Sequence, residues 1–323
     1  MKKFIWKSIF VLGVPFTYLS SVWLRLILKK NKAGKVEDRI FSHVGILPVS
    51  EHYYEPLIHP KKHLKKSLRD DRILPGIDMN IQEQLNILAA FDYNHELLEF
   101  PVNESKDSGD VTFFYNNGFY QAGDAEYLYN MVRHFKPKKI IEIGSGNSTL
   151  MAKNAIDKNK TDNKNYQCEH ICIEPYEMPW LETKNVKVIR KKVEDIDVTF
   201  FEQLEPNDIL FIDSSHMIRP QGDVLFEYLE ILPVLKAGVI IHIHDIFTPK
   251  DYPDEWVFTK RLLWNEQYLL EAFLSFNNMF KIIGATNYLS HHYSSEFAAK
   301  CPVFAQQPDK EAQAFWMKRV LPG

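Results

Sequence analysis

Hydrophobic positions fall into three regimes along this chain. Residues 8–24 form an uncharged run, SIFVLGVPFTYLSSVWL. Residues 31–72 are largely polar, and their apolar positions keep no steady period. Further on, short continuous apolar runs alternate with stretches of helical spacing. The runs are 139–143, 170–173, 186–189, 208–212, the VIIHIH segment opened by Gly238, 280–286 and 315–320. Helical spacing covers 125–135, which Pro137 stops, then 148–158, 222–235 and 264–276. An earlier helix is predicted at 81–91, from Ile81, Leu85, Leu88 and Ala89. Strands apolar at every position are buried on both faces. The pattern therefore predicts an α/β, doubly wound, parallel sheet covered by helices. Ligands of such sheets bind beyond the carboxyl ends of the strands.

The apolar run changes this picture. Lys2, Lys3 and Lys7 precede it, and Arg25, Lys29, Lys30, Lys32 and Lys35 follow. With Arg25 snorkelling, the run extends to Leu28, the length of a spanning helix of roughly 20 residues. Pro15 would kink it, and Trp6 and Trp23 stand near its two ends as interfacial anchors do. We read 1–30 as a membrane anchor, 31–108 as a polar arm and helical cap broken by the polar stretch 104–110, and 109–323 as the main domain. The larger basic cluster follows the anchor, which places that domain in the cytoplasm. Over the whole chain of 323 residues, 45% are hydrophobic, 25% are charged, and the net charge is -3. That is a globular composition with no case for a nucleic-acid partner. Cys168, Cys172 and Cys301 form no CxxC pair and read as reduced thiols.

Four strand ends carry chemistry. The first is Glu142-Ile-Gly144-Ser145-Gly146-Asn-Ser148-Thr149. Its glycines permit a tight turn into a helix whose amides face a ligand. No Gly-Lys-Ser/Thr follows, so it is no phosphate-binding P-loop, and Thr149 replaces the third glycine of a dinucleotide fingerprint. Glu142 would repel a phosphate and fits a cationic ligand. The second end is Glu174, 174 − 146 = 28 positions past Gly146, a carboxylate able to accept ribose hydroxyls. The third is Asp213-Ser-Ser-His216, and the fourth is His242-Ile-His244-Asp245. Asp213, His216, His244 and Asp245 could hold a divalent metal or supply a general base. A neutral His216, with a pKa near roughly 6.5, suits proton abstraction. Strand alternation puts His242 and His244 on one face and Asp245 on the other, so the four are not expected to converge fully. His242 is expected to be a core histidine.

These stretches resemble a family. IIEIGSGNSTL, CIEP, DILFIDSSH, GVIIHIHDIFTPKDYP and WNEQYLL, over residues 116–323, look like class I S-adenosylmethionine-dependent methyltransferases, and within them the bacterial sugar O-methyltransferase and cephalosporin hydroxylase-like group. The resemblance implies a Rossmann-like, mostly parallel sheet with one antiparallel strand. It implies S-adenosyl-L-methionine bound by Glu142, Gly144, Ser145, Gly146, Ser148, Glu174, Glu194 and Asp213, with Asp195 an alternative to Glu194. Asp213 and Asp245 stand where metal-dependent relatives hold a divalent metal such as magnesium; His216, Asp213 and His244 are the candidate catalytic residues. The chain departs from the usual metal pattern, which is richer in adjacent carboxylates, so base catalysis by histidine stays open. The implied acceptor is a sugar or other hydroxylated small molecule, and the membrane segment suggests a lipid-linked glycan. Aromatic and polar residues at 251–256 and 264–268 suit such an acceptor, or Trp264 and Tyr268 simply pack a helix on the sheet. A metal-dependent hydroxylase-like enzyme, or a non-catalytic tethered assembly factor, are the alternative functions. Oligomeric state is not legible.

Overall fold

The computed structural model describes residues 2–29, 34–104 and 110–321, with the backbone alone for 2–9 and 35. Trp6 and most of the polar break therefore lie outside the described side chains and residues. The chain divides into two compact units: residues 1–67 with 255–263, and residues 68–254 with 264–323. Arg72 shows why residues beyond 67 belong to the larger unit. Its amide donates to the Pro249 carbonyl at 3.1 Å, and its guanidinium forks onto Glu271.

In the smaller unit, α1 (Lys2–Lys29) runs as one helix through Pro15. Its Phe10–Lys29 portion is long and apolar enough to cross a membrane, and of its side chains only Ile27 is buried. A second helix, α2 (Lys35–Val44), ends on Gly45 at φ 75°, whose amide caps the helix's final carbonyls.

The larger unit holds a seven-stranded sheet: β1 (Lys139–Ile143), β2 (Glu169–Ile173), β3 (Lys187–Ile189), β4 (Ile209–Ile212), β5 (Ile240–Ile243), β6 (Phe280–Ala285) and β7 (Phe315–Arg319). The order is β3-β2-β1-β4-β5-β7-β6. The first five strands are parallel, and β7 runs antiparallel between β5 and β6. Side chains alternate faces. Ile140, Phe211 and Trp316 enter one core beneath the helices α3 (Ile81–Ala90), α4 (Asp124–Phe135) and α5 (Asn147–Asp162), while Ile141, Ile143, Leu210 and Ile212 enter a second core on the opposite face. That second face is covered by the 223–234 segment and by α6 (Glu266–Leu274).

Two predicted helices differ in detail. The segment 223–234 is not one α-helix: a π-turn at Glu227–Ile231 interrupts it. Such turns re-aim side chains and gather at functional sites. The helix predicted at 264–276 starts only at Glu266, which frees Trp264 to lie elsewhere. The topological switch point falls between β1 and β4, where strand order reverses.

Candidate active site

The loop after β1 turns sharply. Gly144 has φ 74°, and a Cβ there would stand 1.9 Å from the Asp213 carbonyl oxygen, so only glycine fits between β1 and β4. Gly146 is different: a Cβ would meet nothing nearer than the Met178 methyl at 3.8 Å. Beyond the loop lies a cavity of 410 Å³ lined by Gly144, Glu174, Glu194, Asp213, Arg219 and Tyr176, among others. Glu174 ends β2 and is shaped by its own turn. Its Oε1 accepts the Tyr176 and Glu177 amides at 2.9 Å each, and the Ser145 amide points to its Oε2 at 3.4 Å. Arg190 holds the same turn by donating to the carbonyls of Glu174 and Glu177. Glu194 sits on the short turn after β3, on the same cavity wall.

Glu142 and Ser148 do not face this cavity. Glu142 is buried against the other face of the loop. It accepts hydrogen bonds from Ser148 Oγ (2.6 Å) and Thr149 Oγ1 (2.7 Å) and pairs with His170 Nε2 at 2.9 Å. The Cys172 thiol completes the group at 3.6 Å. Glu142, His170 and Cys172 could in principle share an ion, but every one of these contacts is already made within the protein. The hub ties β1, β2 and the first turn of α5 together, and so sets the loop from behind. Burial opposes charge on His170, but Cys172 and Glu142 outweigh it and hold the imidazole up at about 10. A raised imidazole stabilises the fold fully below its unfolded value near 6.5, and this contribution is lost as pH climbs through about 10. His170→Leu leaves the Glu142 carboxylate buried without its cation. It is expected to cost about 3–5 kcal/mol in denaturant unfolding, and to flatten the alkaline limb of the stability curve.

Past β4 and β5, four sequence candidates meet. His216 Nε2 lies 3.3 Å from both Asp213 Oδ1 and Asp245 Oδ2. His244 Nδ1 lies 3.6 Å from Asp213 Oδ1 and 3.5 Å from Asp245 Oδ1. Full convergence corrects the expectation from strand alternation. Asp245 sits beyond the end of β5 at φ 57°, outside the pleat, and this left-handed turn swings its carboxylate back. His216 is likewise left-handed, at φ 58°. His242 is the expected core histidine: it is buried, stacks on Phe211 at 4.0 Å, and is pushed well down by burial and by the charge on His244.

The protonation state of His216 is also a correction. Burial opposes its charge, but Asp213, Glu266 and Asp245 raise its pKa well above 6.5, so the expected neutral imidazole is an imidazolium here. His244 is raised likewise by Asp245 and Asp213 against burial. Both histidines press Asp213 far below the usual carboxylate range. Asp245 goes the other way: burial, with Asp213 and Asp124 nearby, brings it up to about 6. Among the described residues its Oδ1 accepts no hydrogen bond.

Sequence reasoning marked 264–268 only as an acceptor stretch and left Asp124 and Glu227 unmarked, yet these residues stand around the cluster. Glu266 accepts from His216 Nδ1 at 2.8 Å and from the Tyr228 hydroxyl at 3.2 Å. Asn265 and Glu266 donate their amides to the His216 carbonyl, and Trp264 lies against the His216 ring at 4.4 Å. All three belong to the WNEQYLL stretch, whose polar pair before a helix was the available signal. Asp124, at the start of α4, stands 3.5 Å from His244 Nε2, while its Oδ1 accepts the Gln313 and Ala314 amides. Glu227, on the π-turn, accepts from Ser214 at 3.1 Å. Of the aromatic acceptor candidates, Trp264 lies at the cluster, Tyr268 hydrogen-bonds Asp251 at 2.9 Å, and Trp256 belongs to the smaller unit.

Comparison with known proteins agrees with this geometry. Residues 141–246, the span from β1 through Asp245, match a family model described as a methyltransferase domain. An uncharacterized protein of Archaeoglobus fulgidus is 31% identical over 217 residues, which is 62% of this chain and 93% of that protein. Solved structures align more loosely. An O-methyltransferase from Bacillus cereus in complex with SAH is 14% identical, covering 77% of this chain and 94% of that one, at a TM-score of 0.36. A methyltransferase of the mycinamycin biosynthetic pathway, in complex with Mg, SAH and mycinamycin VI, is 15% identical, covering 63% of this chain and 50% of that one, at 0.33. Superpositions this loose leave the assignment to the sequence matches and to the strand order. On those, the chain belongs to the family of the archaeal protein, within the class I S-adenosylmethionine-dependent methyltransferases.

Proposed function

We propose that the protein transfers a methyl group from S-adenosylmethionine to a hydroxyl of a sugar or other hydroxylated acceptor, and that α1 attaches it to a membrane with the larger unit in the cytoplasm. One observation carries the catalytic reading. The cavity walled by Gly144, Glu174, Glu194 and Asp213 shares Asp213 with the buried carboxylate–imidazole cluster, so a donor and an acceptor can meet across a single residue. When bound, S-adenosylmethionine supplies an electrophilic methyl group on a cationic sulfur. The residues suit it. Glu174 presents a carboxylate to ribose hydroxyls, and the open cradle at Gly146 leaves room for ligand atoms against the backbone. Glu142 serves from behind, through Ser148 and Thr149.

The acceptor oxygen would form the new C–O bond as the methyl–sulfur bond breaks, with S-adenosylhomocysteine as the leaving group, and the hydroxyl proton must go to a base. Asp245 is the residue suited to take it: among the described residues its Oδ1 accepts no hydrogen bond, and its carboxyl, at about 6, is poised near neutrality. Glu266 fixes His216 through Nδ1, which keeps Nε2 aimed between Asp213 and Asp245.

A divalent cation fits the same place. Asp213, His216 and Asp245 offer ligand atoms within 4.8 Å of one another, and the carboxylate on the far nitrogen of His216 is the partner a metal-ligating imidazole needs. Magnesium held there would act as a Lewis acid on the acceptor hydroxyl. His216 would surrender its proton to bind it.

Calorimetric titration with S-adenosylhomocysteine tests the reading. A saturable one-site isotherm is expected. A following titration with magnesium is expected to release a proton, seen as heat that depends on the buffer. No binding of S-adenosylhomocysteine, with or without magnesium, would overturn the methyl-transfer reading.

A further inference from the structure

Exposed large hydrophobic residues are very unevenly spread outside α1. Nine lie between Val36 and Ile58: Val36, Ile40, Val44, Ile46, Leu47, Tyr53, Tyr54, Leu57 and Ile58. The rest of the described chain, from residue 59 to 321, exposes ten. A surface this dense in apolar side chains marks an interaction site. Three of the nine, Val36, Ile40 and Val44, recur every fourth residue on α2, and so form one stripe along that helix. Leu47, just past the helix end, is 85% exposed.

Charge identifies what covers the stripe. Residues 1–66 contain 13 Lys and Arg and 4 Asp and Glu, a net +9; residues 67–323 contain the other 26 and 38, a net −12. The positive charge flanks the apolar surface on both sides, at Lys29, Lys30, Lys32 and Lys35 before it and at Lys61, Lys62, Lys65 and Lys66 after it. Position adds a constraint. Only five residues separate the last residue of α1 from the first turn of α2. A chain of that length reaches roughly 20 Å at most, so a membrane-inserted α1 keeps α2 at the bilayer surface.

We infer that residues 34–58 form a pad that lies in the interface of an anionic membrane, with Val36, Ile40, Val44 and Leu47 facing the acyl chains and the positive charge of the neighbouring sequence drawn to lipid phosphates. The inference rests on the proposed insertion of α1. The pad adds a second membrane contact to the spanning segment.

The test uses the full chain in phosphatidylcholine vesicles with and without phosphatidylglycerol. An environment-sensitive fluorophore is placed on Ile40→Cys or Leu47→Cys, with Asp38→Cys as the polar-face control, in a Cys168→Ser background. Flotation of the chain with the vesicles reports α1. Blue-shifted emission and about tenfold weaker quenching by aqueous iodide at positions 40 and 47, but not at 38, are expected, strengthened by phosphatidylglycerol. With Val36→Glu and Val44→Glu added, the chain should still float while the probe at 47 becomes freely quenched. Flotation with free quenching at 40 and 47 overturns the pad and leaves the anchor standing. Protection that scales with protein concentration rather than with anionic lipid assigns the stripe to a second copy and also overturns it. A chain that does not float overturns the anchor and the pad together.

Discussion

Asp245→Asn is expected to lower kcat by about 10²–10⁴-fold while leaving the fold and the affinity for S-adenosylhomocysteine nearly unchanged. The choice of asparagine follows from the backbone. Asp245 holds φ 57°, a region that asparagine tolerates and most residues do not, so the turn that returns this side chain to the cluster survives the change. The lost charge sits against two histidines, not in the cavity that Glu174 and Glu194 wall. The wild-type rate should rise with pH through about 6 as Asp245 gives up its proton, and that limb should vanish in the variant. Full activity in Asp245→Asn would move the proton acceptor to another residue.

Glu174→Gln should show the opposite signature. Hydrogen bonds to a charged group contribute ~1.5–3 kcal/mol each, so losing one carboxylate acceptor for a ribose hydroxyl is expected to weaken S-adenosylhomocysteine binding about 10- to 150-fold. The amide retains an oxygen for the Tyr176 and Glu177 backbone, so the turn itself should persist. Turnover at saturating cofactor should change little. Unchanged affinity by calorimetry would remove Glu174 from the cofactor site.

The contrast between these two residues shows how far one sequence can be read. Strands β1, β2, β4 and β5 were legible because each carries a run of apolar residues, and β2, β4 and β5 deliver a polar residue just past their ends. Glu174 and Asp213 follow from that rule alone and line the cavity together. Asp245 was found by the same rule but placed on the wrong side, because a pleat predicts direction only until the strand stops. Glu142 was legible as a strand-end acid, yet its direction depends on Ser148, Thr149 and His170, which take up its oxygens from two other elements. Glu266 was legible only as part of the 264–268 acceptor stretch, not as the partner of His216, and Asp124 was not legible as a site residue. Glu266 meets His216 across 50 positions, and Asp124 precedes His244 by 244 − 124 = 120. No local period encodes such a meeting. The charge state of His216 was hidden for the same reason, since three acids brought together by the fold decide it.

The place of β7 bears on how the chain comes to be made. It is an interior strand, hydrogen-bonded to β5 on one side and to β6 on the other, yet it follows both in the chain. During synthesis β5 and β6 therefore emerge before the strand that joins them, and β5 keeps an open edge until residues 315–319 arrive. A chain cut short before residue 315 would therefore leave β5 with an unpaired edge, open to edge-to-edge association.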